Sequence, residues 1–298
     1  MNKEQAEIIK KGKGFIAALD QSGGSSGKTL GLYGIDKNRY NNEEEMFDLI
    51  HEFRKRVITS DSFTNEKIVG VILFEETMNR KIDDELTANY LWNKKKIVPF
   101  LKIDKGLEEI KNGVQLMKPI PNLIGTLTKA KENNIFGTKM RSVIYENNKE
   151  GIKEVVEQQF ALAKTIWAHG LVPIIEPEVN IGSPNKRECE ILLKTEILKQ
   201  LEVLDDNIKV MFKFTIPTEE NYYQVFTDHH NVLKVVALSG GYEKVDACNR
   251  LAKNKDMIAS FSRALLEGLQ EQQTQAEFDK TLSESIDMIY NASVNKEI

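Results

Sequence analysis

The sequence has little that would tie it to nucleic acid, to a membrane or to a metal. Its 41 basic residues are outnumbered by 45 acidic ones, a formal net charge of -4, so there is no basic surplus for a phosphate backbone. No block of like charges marks a disordered tail. The opening stretch MNKEQAEIIKKGKG has no apolar signal core, and no apolar run approaches the length of a membrane span. Neither a membrane nor a nucleic-acid partner is expected. Histidine is scarce: His51, His169, His229 and His230 lack metal-ligand spacing, and no metal is expected. The two cysteines, Cys189 and Cys248, have no CxxC spacing and read as free thiols of a reducing cytoplasm rather than a disulfide framework.

What is present is a recurring form: a short apolar run that ends in polar residues. The run IKVMFKF (208–214) sets the pattern. Alternation puts Lys209, Met211 and Lys213 on one face and Val210, Phe212 and Phe214 on the other. Lysine is almost never fully buried without a reason. GFIAALD (14–20), VGVILFEE (69–76), IVPFLKID (97–104), GTKMRSVI (137–144), VPIIEPEV (172–179), VLKVVALSGG (232–241) and IASFSR (258–263) share the form. Helical periodicity separates several of them. Met46, Leu49, Ile50, Phe53 and Val57 fall at helical spacing behind Asn42 and three glutamates. Further helices are predicted over 1–13, 121–133, about 150–169, 188–201, 218–227 and 243–253, with two amphipathic helices at the end of the chain. QSGGSSGKT (21–29) is predicted to be a loop.

Eight strands separated by helices imply parallel pairing. Eight such units in a chain of 298 residues point to an α/β fold, a closed (β/α)8 TIM barrel forming a single domain over 1–298. An open doubly wound sheet usually has fewer strands and a glycine-rich dinucleotide fingerprint. GKGFIA (12–17) fits such a fingerprint loosely, but it precedes its strand instead of following it.

Barrel active sites lie at the C-terminal ends of the strands. Those ends collect Asp20, Glu75, Lys102, Lys139 with Arg141, Glu176 with Glu178, Lys213, Ser239-Gly240-Gly241 and Ser262-Arg263. Each alone reads as a solvated strand end or an ion pair. Gathered at one mouth they are hard to explain as structure, because buried charges are costly unless paired. Lys102, Lys139 and Arg141 are expected to hold one anion. The glycine turn offers backbone N–H groups to another, and Arg263 adds a planar partner. Two anion sites imply a substrate phosphorylated at both ends. A central lysine suggests a Schiff base with a carbonyl. An ordinary lysine is protonated at neutral pH, and the neighbouring Lys139 is expected to disfavour the ammonium. Glu176 is placed to move protons as the carbinolamine dehydrates, and Asp20 to take a hydroxyl proton as a carbon–carbon bond breaks.

With these residues in order, the chain resembles the class I fructose-1,6-bisphosphate aldolases over nearly its whole length. AALDQSGGS (17–25), VILFEET (71–77), LKIDKG (101–106), KMRSVI (139–144), VPIIEPEV (172–179), FKF (212–214), LSGG (238–241) and FSRAL (261–265) carry the resemblance. It implies a cytoplasmic, metal-free glycolytic lyase that needs no cofactor beyond its own lysine and takes small phosphosugar substrates. By the same resemblance Lys213 is the Schiff-base lysine and Glu176 the proton carrier of iminium formation, with Glu178 beside it. Asp20 acts on the C4 hydroxyl, and Lys139 lies beside the iminium. Lys102 is a further pocket lysine and Arg141 faces the 6-phosphate. Ser239, Gly240 and Arg263 fall to the 1-phosphate site, beside Gly241 and Ser262 of the same strand-end loops; Ser22, Ser25 and Lys28 approach the 6-phosphate. The sequence departs from animal members at Gln21, where they have Glu, and at Thr29, where they have a basic residue. Met140 stands in place of an aromatic residue, and Tyr290 is not terminal.

Three rival readings remain. SGGSSGKT (22–29) nearly matches the P-loop pattern, with Ser22 for its first glycine. The segment LGLYGIDKNRYNN after it is predicted to be a poor helix, whereas a P-loop opens directly into one. A non-catalytic phosphosugar-binding barrel would need no buried amine. A Schiff-base lyase with another aldehyde partner would use the same core residues.

Overall fold

The computed structural model describes residues 1–296; the last two positions of the domain expected over 1–298 lie outside the described residues. Eight of its strands run parallel, in the spatial order of the sequence. They are β1 (Phe15–Leu19), β2 (Ile68–Leu73), β3 (Val98–Lys102), β4 (Gly137–Ile144), β5 (Val172–Val179), β6 (Val210–Thr215), β7 (Val232–Leu238) and β8 (Met257–Ala259). The ring closes where the Ala18 N–H donates to the carbonyl of Phe261, just past β8, at 3.1 Å. The TIM-barrel architecture read from the βα period is the one found.

Alternation along each strand sorts side chains into two apolar layers. Phe15, Ala17 and Leu19 of β1 join Phe212 and Phe214 of β6 in the layer between sheet and helices. Ile16, Ala18, Ile174 and Met211 fill the barrel interior with Phe100 and Val236. Helix Lys3–Lys11 stops the N-terminal end of the barrel, its Ile9 buried in the interior layer. The opposite end is left open for polar side chains. Register carries them there together: Lys102 pairs with Lys139 and Arg141 with Glu176. Ile174 pairs with Met211, so Glu176 and Lys213, each two residues further along, face the same end.

Several expectations are corrected. The stretch 21–29 is not a loop: a helix spans Gly24–Tyr33, despite its glycines and serines. Tertiary contacts override propensity there. Ser26 and Leu30 are buried on its inner face, the Ser26 hydroxyl donates to the Gln21 carbonyl at 3.1 Å, and Gly34 ends the helix in the left-handed region. The helix predicted over 218–227 is a single turn, Gln224–Thr227. Asn221, at φ 60°, interrupts it, and the Thr218 N–H is taken by the Glu190 carboxylate. Strand β8 ends at Ala259 rather than at Arg263. The two final helices are one turn, Arg263–Leu266, and one long helix, Gln275–Val294, with a Thr274–Glu277 capping box. A two-stranded hairpin (Lys81–Ile82 with Glu85–Leu86) and a short antiparallel strand (Val114–Gln115) were not legible.

Candidate active site

A cavity of about 600 Å³ opens at the C-terminal ends of the strands, and every site residue predicted from the sequence lines it except Glu75. Glu75 instead starts a short helix and pairs with Lys105 at 2.7 Å.

Four ionisable groups, all buried, make the floor: Asp20, Lys139, Glu176 and Lys213. Lys139 Nζ lies 2.7 Å from Asp20 Oδ2 and 3.1 Å from Glu176 Oε2. Lys213 Nζ lies 3.5 Å from Glu176 Oε1. Two cations and two carboxylates form one charge-balanced cluster, the condition under which buried charge is tolerated. The contact from Lys213 is the loosest of the three, so its amine has an approach open from the cavity. Glu176 Oε2 has no well-aligned hydrogen-bond donor. Its backbone N–H, in contrast, is fixed by Gln159 Oε1 at 2.9 Å.

Burial opposes ionisation of Asp20, but Lys139, Lys213 and Lys102 outweigh it and hold the carboxyl well below the usual carboxylate range. Lys139 is the mirror case. Burial disfavours its charge, yet Asp20 and Glu176 keep its ammonium well above the ordinary lysine value. Arg141 sits in a close ion pair with Glu178, which overcomes partial burial and raises its pKa further.

Lys102, Lys139 and Arg141, expected to hold one anion, stand in ion pairs. Each already has a carboxylate: Lys102 Nζ lies 2.8 Å from Asp104 Oδ1 and donates to the Asp104 carbonyl at 2.9 Å. Among the described residues, Lys28 and Arg263 line the cavity with no carboxylate partner, and both are exposed. Arg263 faces the glycine turn. The Tyr242 N–H donates to the Ser239 carbonyl at 2.9 Å, and Gly240 and Gly241 between them have φ of 62° and 110°. Within the described residues the N–H groups of Gly240 and Gly241 make no hydrogen bond, so the turn presents free donors beside Arg263.

Ser22 and Ser25 follow the end of β1, which adjoins the segment after β8, and they bond each other: the Ser22 N–H donates to Ser25 Oγ at 2.8 Å. This geometry bears on the P-loop reading. The helix does open directly after the strand, contrary to expectation. Yet the Ser25 and Ser26 N–H groups donate to the carbonyls of Ser22 and Gly23. The stretch that would wrap a phosphate is already folded into helix, and Lys28 lies a turn inside it. Among the described residues no group of three or more His, Cys, Asp and Glu side chains has the arrangement of a metal site.

Sequence reasoning missed Asp104, Arg54, Gln159 and Ser260. Asp104 stands two residues after Lys102, in the same alternation, and could have been read from it. Arg54 and Gln159 reach the site from helices. Their signal is a polar residue on an apolar stripe: Arg54 falls four after Ile50, and Gln159 three after Val156.

The family model described as fructose-bisphosphate aldolase class-I matches residues 1–216. That segment contains Asp20, Lys102, Lys139, Arg141, Glu176, Glu178 and Lys213, and stops before the glycine turn. Among solved structures, the fructose-bisphosphate aldolase from Plasmodium falciparum, in a ternary complex with TRAP and a small-molecule inhibitor, aligns with a TM-score of 0.74. The alignment covers 98% of this chain and 93% of that one at 19% identity, a likeness of fold.

Proposed function

The chain belongs to the class-I fructose-bisphosphate aldolase family, and from that premise we propose that it cleaves fructose 1,6-bisphosphate reversibly to dihydroxyacetone phosphate and glyceraldehyde 3-phosphate. The reaction is a carbon–carbon lyase step of glycolysis and gluconeogenesis in the cytoplasm, carried by one barrel domain. The observation that supports it most is a buried lysine, Lys213, at the floor of a cavity with a carboxylate 3.5 Å away.

In this reading the amine of Lys213 adds to the C2 carbonyl of the substrate. Glu176 delivers the proton with which the carbinolamine loses water, and an iminium remains. Asp20 then accepts the C4 hydroxyl proton as the C3–C4 bond breaks. The bonding pair moves into the iminium, giving an enamine, and the aldehyde leaves. Protonation at C3 and addition of water to the iminium return the amine and release dihydroxyacetone phosphate. Asp20 is a weak base, because Lys139 holds it ionised; its proton transfer is drawn forward by the electron sink rather than by basicity. Lys139 steadies both carboxylates, and Glu178 keeps Arg141 in place.

Two groups of lining residues suit two phosphates. Ser239, the N–H groups of Gly240 and Gly241, Ser262 and Arg263 form the 1-phosphate group. Ser22, Ser25 and Lys28 form the 6-phosphate group, with Lys102 and Arg141 lining the same cavity. The organic cofactor and metal roles are left to side chains, as is usual in this family.

The test is borohydride trapping with dihydroxyacetone phosphate, followed by peptide mass spectrometry, with and without EDTA. The expected result is an adduct on Lys213, unchanged by EDTA and absent from Lys213→Arg, whose turnover falls by at least about 10³-fold. No adduct in folded protein would overturn the proposal.

A further inference from the structure

Arg54 is a buried guanidinium on the helix Glu43–Thr59, and no carboxylate pairs with it among the described residues. A buried cation without a partner is costly, so its contacts are informative. Its Nη1 donates to Thr77 Oγ1 at 2.6 Å. Its Nη2 donates to the backbone carbonyl of Gln21 at 2.6 Å and to Gln21 Oε1 at 3.0 Å. Gln21 directly follows Asp20 at the end of β1, so this one side chain holds the strand end from behind.

The contact also settles a direction. A guanidinium has only donors. The atom of the Gln21 amide that faces it must therefore be oxygen, which fixes an orientation that an amide otherwise leaves open. The other edge, Nε2, then faces Ser262 Oγ at 2.6 Å and donates to it. A hydroxyl oxygen that accepts there keeps its own proton for another acceptor. Ser262 lines the same cavity as Arg263 and the Gly240–Gly241 turn, and among the described residues its hydroxyl donates to no acceptor.

We propose that Arg54 and Gln21 are positioning residues that make Ser262 a hydrogen-bond donor to an anion held at the glycine turn. The inference rests on the reading of that turn as a phosphate site. The direction of each bond depends on the one before it: a cation that cannot accept, an amide that both accepts and donates, and a hydroxyl left with a proton to give. It joins the end of β1 to the segment after β8, across the seam where the barrel closes.

The experiment is a double-mutant cycle read by steady-state kinetics on fructose 1,6-bisphosphate, combining Gln21→Met with Ser262→Ala. Gln21→Met keeps the bulk of the side chain and removes both amide functions. Alone, it is expected to raise KM about three- to tenfold with kcat held within about twofold, the scale of one hydrogen bond. In the Ser262→Ala background it should add nothing beyond about twofold, because the two residues act through one bond. Arg54→Lys should behave likewise, since lysine keeps the charge but loses the fork that sets the amide.

A Gln21→Met KM equal to the parent's overturns the proposal. So does an equal rise in the Ser262→Ala background, which would mark Gln21 as acting only on structure. Trapping at Lys213 in the unsubstituted protein separates failure of the lyase chemistry from failure of the donor chain. With no adduct the lyase reading falls; with an adduct and no coupling between positions 21 and 262, only the donor chain falls.

Discussion

Lys139 Nζ lies 2.7 Å from Asp20 Oδ2 at the floor of the barrel, with both side chains buried. Lys139 is also the cation nearest to Glu176 Oε2, at 3.1 Å. Replacing it with methionine leaves two buried carboxylates with Lys213, beside Glu176, as the one cation still within 4 Å of either among the described residues. Breaking a buried pair by removing one partner costs about 3–5 kcal/mol. Lys139→Met is therefore expected to lose stability on that scale in urea unfolding, and activity by roughly 10²-fold or more. A stability change under about 1 kcal/mol would show that the cluster does not need its second cation.

The same pair sets an acid limit. Asp20 titrates well below an ordinary carboxyl because of the lysines around it, above all Lys139. Its folded pKa is depressed, so its contribution to stability is fully present above the unfolded carboxyl value of about 3.9. That contribution is lost only as pH falls from there toward the folded value. The difference in Tm between the parent and Asp20→Asn should be flat from pH 7 to about pH 5 and shrink on further acidification. A difference that widens as the pH drops would contradict the sign of the shift.

Which of these relations was legible depends on how each residue reaches the mouth. Lys213, Glu176, Glu178, Lys139 and Arg141 lie in strands, where a period of two decides the face. One apolar pattern therefore located them all. Arg54 and Gln159 come from helices, where the periodicity test counts apolar residues and passes over a polar one on the same stripe. The helix Gly24–Tyr33 was hidden for another reason. Its sequence, GSSGKTLGLY, has the composition of a loop, and the preference for helix comes from Ser26, Leu30 and Tyr33 packing inward. Asn221 shows the reverse: the helix expected from Thr218 to about 227 is confined to one turn by a left-handed residue and a captured Thr218 N–H.

Arg263 differs from the floor cations in having no carboxylate partner among the described residues and in being exposed. Removing it should cost little stability, within about 0.5 kcal/mol. If it grips a phosphate, Arg263→Ala forfeits charge-assisted hydrogen bonds and raises KM by roughly 10- to 100-fold. Kinetics on the bisphosphate and a thermal melt of the same preparation give both numbers. Loss of stability without a change in KM would make Arg263 a structural residue.

Gly240 tests whether the turn itself is part of the site. Its φ of 62° lies in the left-handed region, and a Cβ placed on it would stand 2.9 Å from Ile181 Cγ2. An L-residue in that region costs about 1–2 kcal/mol, and relieving the contact with Ile181 requires the turn or the loop after β5 to shift. Gly170, just before β5 at the other end of the barrel, is the control: its φ is 86°, and a Cβ there would come no closer than 3.4 Å, to the flexible end of Lys131. Both substitutions to alanine bear backbone strain, but only Gly240→Ala also displaces the N–H groups beside Arg263. Thermal melts should show both variants destabilised, with Gly240→Ala the lower in Tm. KM should rise several-fold for Gly240→Ala while Gly170→Ala stays near the parent, because a turn that points two free N–H groups at one anion tolerates little displacement. Equal KM values for the two variants would mean that the anion is held by side chains alone and that the glycines serve only the geometry of the chain.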